Sequence, residues 1–179
     1  MQALQLSGNL FLVGPMGSGK TTIGRQLSIA LGKSFYDSDK EIESQTGASV
    51  SLIFDLEKEE GFRKREQKMI VKLTELPNIV LATGGGVVIN ETNRQLLTKN
   101  GVVIYLYCPV DQQLKRTEKD KTRPLLQTPN PEEKLIQLFK ERDPLYRSVA
   151  DIVVETGQGK VRLLVEKILK KYNEYCGNG

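Results

Sequence analysis

The sequence predicts an α/β domain built on a parallel sheet of about five strands. The first observation behind this fold class is that short apolar runs alternate with helical patterns along the 179 residues, as they do where helices connect parallel strands. The second is that residues 14–21, GPMGSGKT, fit the phosphate-binding loop pattern G-x-x-x-x-G-K-[ST]. The predicted strands are Leu10–Val13, Ser34–Asp37, Ile79–Thr83, Val102–Tyr107 and Ile152–Val154.

The first strand, the loop and the first helix follow one another in the order that this motif requires. Residues 9–13 are a short, mostly apolar run that fits a buried parallel strand. After the loop, apolar residues recur at helical spacing, and Gly32 stands where the helix is expected to end. The residues predicted to form the apolar face of this helix are Ile23, Leu27, Ala30 and Leu31.

Each part of the loop has a chemical role. Glycines permit backbone conformations that are closed to other residues, so successive N–H groups can turn toward phosphate oxygens. Lys20 can reach the outer phosphates of a nucleotide, and the Thr21 hydroxyl can bind Mg²⁺. The helix after the loop directs its positive N-terminal end toward the same anion. The motif therefore predicts binding of a nucleotide polyphosphate.

Two later segments are too long or too irregular to be simple connections. Residues 49–76 are mostly helical by periodicity and longer than a crossover helix needs to be, which predicts an inserted helical subdomain ending at Pro77. Residues 120–131 contain three prolines among polar residues and predict a lid or binding loop, after which Pro131 begins a helix. The expected apolar anchors of the insertion are Ile53, Leu56, Met69, Ile70 and Leu73.

The composition excludes several classes of function. The chain has no histidine and only two cysteines, which rules out histidine catalysis and argues against a zinc site. The net charge of +4 is mild, and aromatic residues do not interleave with basic runs, so a nucleic-acid surface is not expected. No apolar run approaches the ~18 residues of a membrane span, and a secretory leader pattern is lacking. We therefore expect a cytoplasmic protein with reduced thiols and no membrane partner.

Two carboxylates, Asp37 and Asp39, follow the second predicted strand. Ligands of open α/β sheets bind outside the carboxyl ends of the strands, so both side chains are candidates for a site. One could hold Mg²⁺, directly or through water, and the other could accept a hydroxyl proton from a substrate. The alternative is structural, because Asp39 could cap the helix that begins beside it.

Three glycines, residues 84–86, follow the third predicted strand in place of a metal-binding aspartate. Such a turn lets a ligand approach the backbone and leaves N–H donors available, although it could also be merely flexible. Arg63, Arg123 and Arg142 are the next candidates. Each could grip a carboxylate or phosphate through two parallel hydrogen bonds, although a solvated surface role is the default for any single arginine.

Over essentially its whole length the sequence resembles the shikimate kinase family, through short motifs whose joint order and spacing are specific. The resemblance implies a three-layer α/β/α fold of the P-loop NTPase class, with strand order 2-3-1-4-5, a shikimate-binding helical insertion and an ATP lid. The matching motifs are Gly14–Thr21, Asp37–Asp39, Gly61–Arg63 with Glu66, Gly84–Gly86, Arg123–Leu126, and Arg142 with Pro144–Tyr146.

The resemblance also implies a role for each residue of the acceptor side. Arg63 and Arg142 would hold the carboxylate of shikimate, and Gly85 would complete the pocket. Asp39 would orient the attacking hydroxyl and could take its proton. The sequence does not distinguish between a base and a positioning group at Asp39.

On the donor side, the resemblance places Lys20 at the transferred phosphoryl group and Arg123 in a lid that closes onto the nucleotide. Thr21 would bind one Mg²⁺ ion, which Asp37 would support through water. Lys20, Asp39 and Arg123 are thus the expected catalytic residues. The residues implied to contact ATP are Gly17, Ser18, Gly19, Lys20, Thr21, Thr22, Arg123 and Gln158.

We therefore expect one shikimate kinase-like domain over residues 1–179, with the insertion at about 39–76 and the lid at about 118–131. The expected reaction is phosphorylation of the 3-hydroxyl of shikimate by ATP, in a monomer. One alternative is a related kinase of the gluconate kinase type. Another is a non-catalytic nucleotide-binding module, but residues 118–120 do not fit the Asn-Lys-x-Asp of a guanine-specific switch.

Overall fold

The computed structural model of the protein describes residues 8–157 and 159–177. Its strands are β1 (Asn9–Val13), β2 (Ser34–Asp37), β3 (Ile79–Ala82), β4 (Gly101–Tyr107) and β5 (Ile152–Glu155). Its α-helices are α1 (Lys20–Leu31), α2 (Ser38–Thr46), α3 (Val50–Thr74), α4 (Glu91–Asn100), α5 (Val110–Thr117), α6 (Pro131–Val149) and α7 (Val161–Gly177). Two single-turn 3-10 helices cover Val87–Ile89 and Pro124–Leu126.

The five strands form one parallel sheet in the order β2-β3-β1-β4-β5, which confirms the predicted fold class and strand order. β1 lies at the centre, where Leu12 pairs with Ala82 of β3 on one side and Ile104 of β4 on the other. The chain therefore runs from β1 to the edge strand β2, returns through β3, and then crosses β1 to form β4 and β5 on the other side. Ligands of doubly wound sheets bind at this switch point, which here is the loop after β1.

The side chains of β1 alternate between two apolar cores, which gives the molecule three layers. Phe11 and Val13 pack in the core that α2, α3, α4 and α6 cover, whereas Leu10 and Leu12 pack in the core under α1 and α7. All four side chains have no exposed surface. Burial of each stabilises the fold by about 1.5–3 kcal/mol, because its apolar surface leaves water.

Helix α1 packs closely against the sheet at Gly24. A Cβ atom on Gly24 would lie 2.7 Å from the Phe35 ring, so only glycine fits at this contact. The expected anchors Ile23 and Leu27 are buried, but the prediction for Ala30 was wrong, since Ala30 is exposed. The helix ends at Gly32, which adopts the left-handed conformation (φ 64°) predicted for its C-cap.

Helix α3 contains a break that the sequence does not predict. Lys58 has φ 62° and ψ −177°, a conformation that is otherwise almost restricted to glycine and costs on the order of 1–3 kcal/mol. Across the break, Arg65 donates two hydrogen bonds, of 2.8 and 2.6 Å, to the carboxylate of Glu57. The prediction for the anchor Leu56 was wrong, since its side chain is 73% exposed; the other four anchors are buried.

Among the residues that the structure describes, no helix is both long and apolar enough to cross a membrane.

Candidate active site

The phosphate-binding loop joins β1 to α1 at the switch point of the sheet. A Cβ atom on Gly14 would lie 2.6 Å from the carbonyl oxygen of Leu106, so the loop passes too close to β4 for any other residue. Gly19 precedes the helix in the left-handed conformation (φ 87°) and offers no side-chain cap to the first turn. The N–H groups of that turn therefore remain available to an anion.

Lys20 is folded back into the loop that it follows. Its Nζ donates to the carbonyl oxygens of Gly14 (2.7 Å) and Pro15 (2.8 Å) and lies 3.4 Å from Ser18 Oγ. Burial, together with the positive charge of Arg123, lowers the pKa of Lys20 to about 7. A bound polyphosphate would bring negative charge to this ammonium group and favour its protonated form.

Thr21 and Asp37 bring two oxygen groups together beside the loop. Thr21 Oγ1 donates to Asp37 Oδ2 over 2.6 Å. Asp37 Oδ1 also accepts from the backbone N–H groups of Asp39 (3.1 Å) and Lys40 (3.2 Å), so Asp37 is the residue that caps α2. The alternative interpretation of Asp39 as that cap was therefore wrong, because the helix begins at Ser38, two residues earlier than a cap at Asp39 would place it.

These two oxygens fit a magnesium ion. Mg²⁺ prefers hard oxygen ligands and usually takes one or two from the protein, with water and phosphate oxygens completing its shell. Thr21 and Asp37 offer a hydroxyl and a carboxylate of this kind at the edge of the phosphate loop. Within residues 8–157 and 159–177 no cluster of three or more acidic, cysteine or histidine side chains competes for such an ion.

A cavity of about 420 Å³ opens next to the phosphate loop and holds most of the other predicted site residues. α2 and α3 form one wall, the turn after β3 forms its floor, and the segment around Arg123 covers it. The predicted residues that line it are Thr21, Asp37, Asp39, Arg63, Gly85, Arg123 and Arg142. The structure thus brings together side chains that lie more than 120 positions apart in the sequence.

Asp39 and Glu66 meet over the turn after β3. A Cβ atom on Gly84 would lie 2.8 Å from Asp39 Oδ1 and 3.0 Å from Glu66 Oε2, so glycine leaves the space that both carboxylates fill. The turn is anchored by Ser38, whose Oγ accepts from Gly84 N–H at 3.1 Å. The two carboxylate oxygens are buried and have no hydrogen-bond partner in the described part of the chain.

This environment disfavours the charged form of both acids. Burial, together with the neighbouring carboxylates of Glu66 and Asp37, raises the pKa of Asp39 to about 6. Lys20 and Arg123 oppose it. Burial likewise raises the pKa of Glu66, although Arg63 acts in the opposite direction. Asp39 is therefore a better proton acceptor than an ordinary aspartate, and it lines a cavity that a hydroxyl group could enter.

Arg63 lies flat against the glycine turn and is held by two acids. Its Nη1 donates to Glu66 Oε1 (2.8 Å), and its Nη2 donates to Glu59 Oε1 (2.9 Å). A Cβ atom on Gly86 would lie 2.3 Å from Nη2, which explains why glycine is needed at that position. The guanidinium is only 18% exposed, so a carboxylate entering the cavity would meet a fixed cation.

Arg142 approaches the same turn from α6. It is 5% exposed, and its buried Nε has no hydrogen-bond partner among residues 8–157 and 159–177. Its Nη1 would lie 3.7 Å from a Cβ atom on Gly85. One turn later on the helix, the Tyr146 hydroxyl donates to the carbonyl oxygen of Gly85 and fixes the position of the turn. Arg142 thus brings a second, incompletely paired cation to the cavity.

Arg123 belongs to the lid segment, which we define as residues 118–131. It lines the cavity together with Pro124 and Leu125, and its charge affects the pKa of both Lys20 and Asp39. Its Nε donates to Asp120 Oδ2 over 2.9 Å. Gln158, expected near the nucleotide, lies outside the described residues.

Sequence reasoning missed Arg116, which ties the two nucleotide-side loops together. Its Nη1 donates to the carbonyl oxygen of Gly17 (2.9 Å), and its Nη2 donates to that of Gly157 (2.9 Å). No local pattern distinguishes Arg116 from its neighbour Lys115, and only these contacts, which span 99 and 41 positions, identify it.

The parallel sheet and the phosphate-binding loop at its switch point define a protein of the P-loop class. A family model described as "SKI: Shikimate kinase" matches residues 16–173, and the chain belongs to the shikimate kinase family.

Known proteins resemble the chain over nearly its full length. A shikimate kinase of Nitrosococcus oceani is 55% identical over 96% of this chain and 90% of its own, and one of a Psychrobacter species is 58% identical over 93% of each. The solved structure of Acinetobacter baumannii shikimate kinase in complex with shikimate has a TM-score of 0.94, with 52% identity over 97% of both chains. A gluconokinase from Sinorhizobium meliloti, 13% identical with a TM-score of 0.62, shares the fold alone.

Proposed function

We propose that this protein transfers the γ-phosphoryl group of ATP to the 3-hydroxyl of shikimate, a step of aromatic amino acid biosynthesis. The observation that carries the proposal is the arrangement of one continuous site. Residues of the phosphate loop, two largely buried arginines and Asp39 all line one cavity. A cavity lined by two guanidinium groups and a carboxylate suits an acceptor that carries both a carboxylate and hydroxyl groups.

Arg63 and Arg142 are the proposed partners of the shikimate carboxylate. Both line the cavity at the glycine turn, and their approach from α3 and α6 gives the carboxylate two guanidinium groups. A guanidinium binds a carboxylate in a planar, bidentate manner, so the pair would fix the ring as well as hold it. The N–H of Gly85 lies in the same turn and completes this end of the pocket.

At the other end, Lys20, Arg123 and the N–H groups of residues 17–22 are proposed to hold the phosphates of ATP. Phosphoryl transfer spreads negative charge over the oxygens of the transferred group. Lys20 is within reach of the loop that would cradle them, and Arg123 adds a second positive charge from the lid segment. Fixed cations in a site that excludes water stabilise that charge without reorganising.

Thr21 and Asp37 are the proposed holders of one divalent ion, which we take to be Mg²⁺. When bound, the ion neutralises phosphate charge and helps to align the transferred group. Thr21 would contact it directly, and Asp37, hydrogen-bonded to Thr21 at 2.6 Å, would support it through water.

Asp39 is proposed to orient the 3-hydroxyl and to accept its proton. The hydroxyl oxygen then bonds to the γ-phosphorus, the bond to the bridging oxygen breaks, and ADP leaves with that oxygen. The lid segment and the insertion at residues 39–76 enclose this step, since both line the cavity. Their closure keeps water from replacing shikimate as the acceptor. We propose that a single monomer performs the reaction.

The function is tested by coupled measurement of ADP release. The purified protein with ATP and Mg²⁺ should release ADP many times faster when shikimate is added. Gluconate and a shikimate analogue without the 3-hydroxyl are the comparison acceptors, and neither should stimulate release. Equal release with and without shikimate, or a greater rate with gluconate, would overturn the proposal.

Replacement of Arg63 with alanine should raise the KM for shikimate by about 10- to 100-fold, because a charge-assisted contact of roughly 1.5–3 kcal/mol is lost. The KM for ATP should change by less than about threefold. Arg63→Lys keeps a positive charge beside Glu66 but lacks the planar fork, so it should also raise the KM for shikimate without loss of folding. Equal effects on both substrates would argue against a carboxylate contact.

The matched control is Arg65→Ala on the same helix. Arg65 forms an ion pair with the exposed Glu57, and its loss should leave both KM values unchanged.

A further inference from the structure

We propose that Asp120 is a positioning residue for the reaction, because it holds the Arg123 guanidinium in the orientation needed for the transferred phosphoryl group. The inference rests on the proposed function. Asp120 and Arg123 are three positions apart in the lid segment, and their side chains are joined by a 2.9 Å hydrogen bond from Nε to Oδ2.

The two carboxylate oxygens of Asp120 have different hydrogen-bond partners. Oδ1 accepts from both the backbone N–H (2.9 Å) and the side-chain hydroxyl of Thr122, and so shapes the turn that precedes Arg123. Oδ2 is left for Arg123 alone. One side chain therefore fixes the backbone of the lid segment with one oxygen and its functional cation with the other.

The bond to Nε determines which edge of the guanidinium is available. With Nε occupied, the two Nη groups form the remaining edge, and they have no hydrogen bond to any side chain or carbonyl within the described residues. Arg123 lines the cavity, and its charge affects Lys20 and Asp39, which stand at the donor and acceptor ends of the site. Two parallel Nη–H donors are what a phosphoryl group accepts best.

The ion pair between Arg123 and Asp120 contributes little to the stability of the fold. The side chains of Arg123 and Asp120 are 40% and 29% exposed, and ion pairs this open to water contribute little to folding. Their effect is instead on the freedom of a long side chain. An arginine that is already oriented loses less entropy when it binds the nucleotide and is in place when charge develops.

The substitution Asp120→Asn separates the contact with Thr122 from the contact with Arg123. Asp120→Asn retains an oxygen that accepts from Thr122, but its amide NH₂ cannot accept from Arg123 Nε. We expect kcat to fall about tenfold, with the KM for shikimate and the melting temperature essentially unchanged. Thr122→Val, which removes only a hydroxyl contact in the same turn, is the matched control and should retain the kcat of the parent protein.

A double-mutant cycle shows whether Asp120 acts through Arg123. In an Arg123→Ala background the Asp120→Asn change should have no further effect on kcat, because the group that it positions is absent. An equal loss in both backgrounds, or a parent-like kcat for Asp120→Asn alone, would overturn the inference. Failure of the unmodified protein to phosphorylate shikimate would instead overturn the proposed function.

Discussion

Replacement of Lys20 with methionine is expected to lower kcat for shikimate phosphorylation by about 10²- to 10³-fold, the usual consequence of losing one fixed donor to developing charge. Methionine fills a similar volume but has no ammonium group. The bonds that Lys20 makes to Gly14 and Pro15 show that its Nζ already lies within the loop that would hold the phosphates. Affinity for ATP should also fall, because the phosphates lose a cation. The KM for shikimate should change little, since the proposed partners of its carboxylate, Arg63 and Arg142, are unchanged.

Lys115→Met is the matched control, because Lys115 is exposed on α5. It should have the parent kcat. A Lys20→Met protein that keeps more than about a third of the parent kcat would remove Lys20 from the catalytic group.

Replacement of Asp39 with asparagine is expected to lower kcat by about 10²- to 10⁴-fold, the range for loss of a positioned proton acceptor. The same change should stabilise the unliganded protein at pH 8. A buried carboxylate beside Glu66 and Asp37 is replaced by a neutral amide, so the cost of ionising it disappears. The combination of lower activity and higher stability is unusual and distinguishes this change from general damage to the fold.

The pH dependence follows from the raised pKa of Asp39. Because this group holds its proton more tightly when folded, the unmodified protein bears the cost of ionisation in full above pH 6, and the cost declines toward pH 4. The stability gain of Asp39→Asn should therefore vanish as the pH falls through that interval. In the unmodified protein, kcat/KM for shikimate should fall below a pH of about 6, where Asp39 is protonated.

Asp55→Asn, an exposed change on α3, is the control for Asp39→Asn and should alter neither property. Near-normal turnover of Asp39→Asn would show that Asp39 does not accept the proton. A melting temperature that rises equally at pH 4 and pH 8 would show that the stability gain has a different cause.

Most of the fold could be predicted because its signals are local. Each of the five predicted strands is present, since apolar runs between helical patterns have few other interpretations. Gly32 ends α1 because the left-handed conformation there needs no information from elsewhere in the chain. The break at Lys58 escaped prediction for the opposite reason. It lies in a run of charged, helix-forming residues, and a lysine there gives no signal of an unusual backbone.

The residues of the candidate site likewise fall into two groups, those that a local motif identifies and those that only the fold brings together. Lys20 and Thr21 could be identified from a contiguous motif. The meeting of Asp39 and Glu66 over Gly84 could not, because it depends on three elements that come together only in the folded sheet. The partners of Arg116 are similarly distant in sequence.

The break at Lys58 also resets the helical phase of α3. In an unbroken helix, each inserted or deleted residue rotates everything that follows by about 100°, so the whole helix must keep one length. Here the part before Lys58 contributes Val50 and Phe54 to the cavity wall, while Arg63 and Glu66 lie beyond the break and are fixed against the glycine turn. The part of α3 before the break can therefore change in length and shape without turning Arg63 away from the cavity. If Arg63 binds the carboxylate as proposed, recognition of the rest of the acceptor can diverge while recognition of the carboxylate is retained.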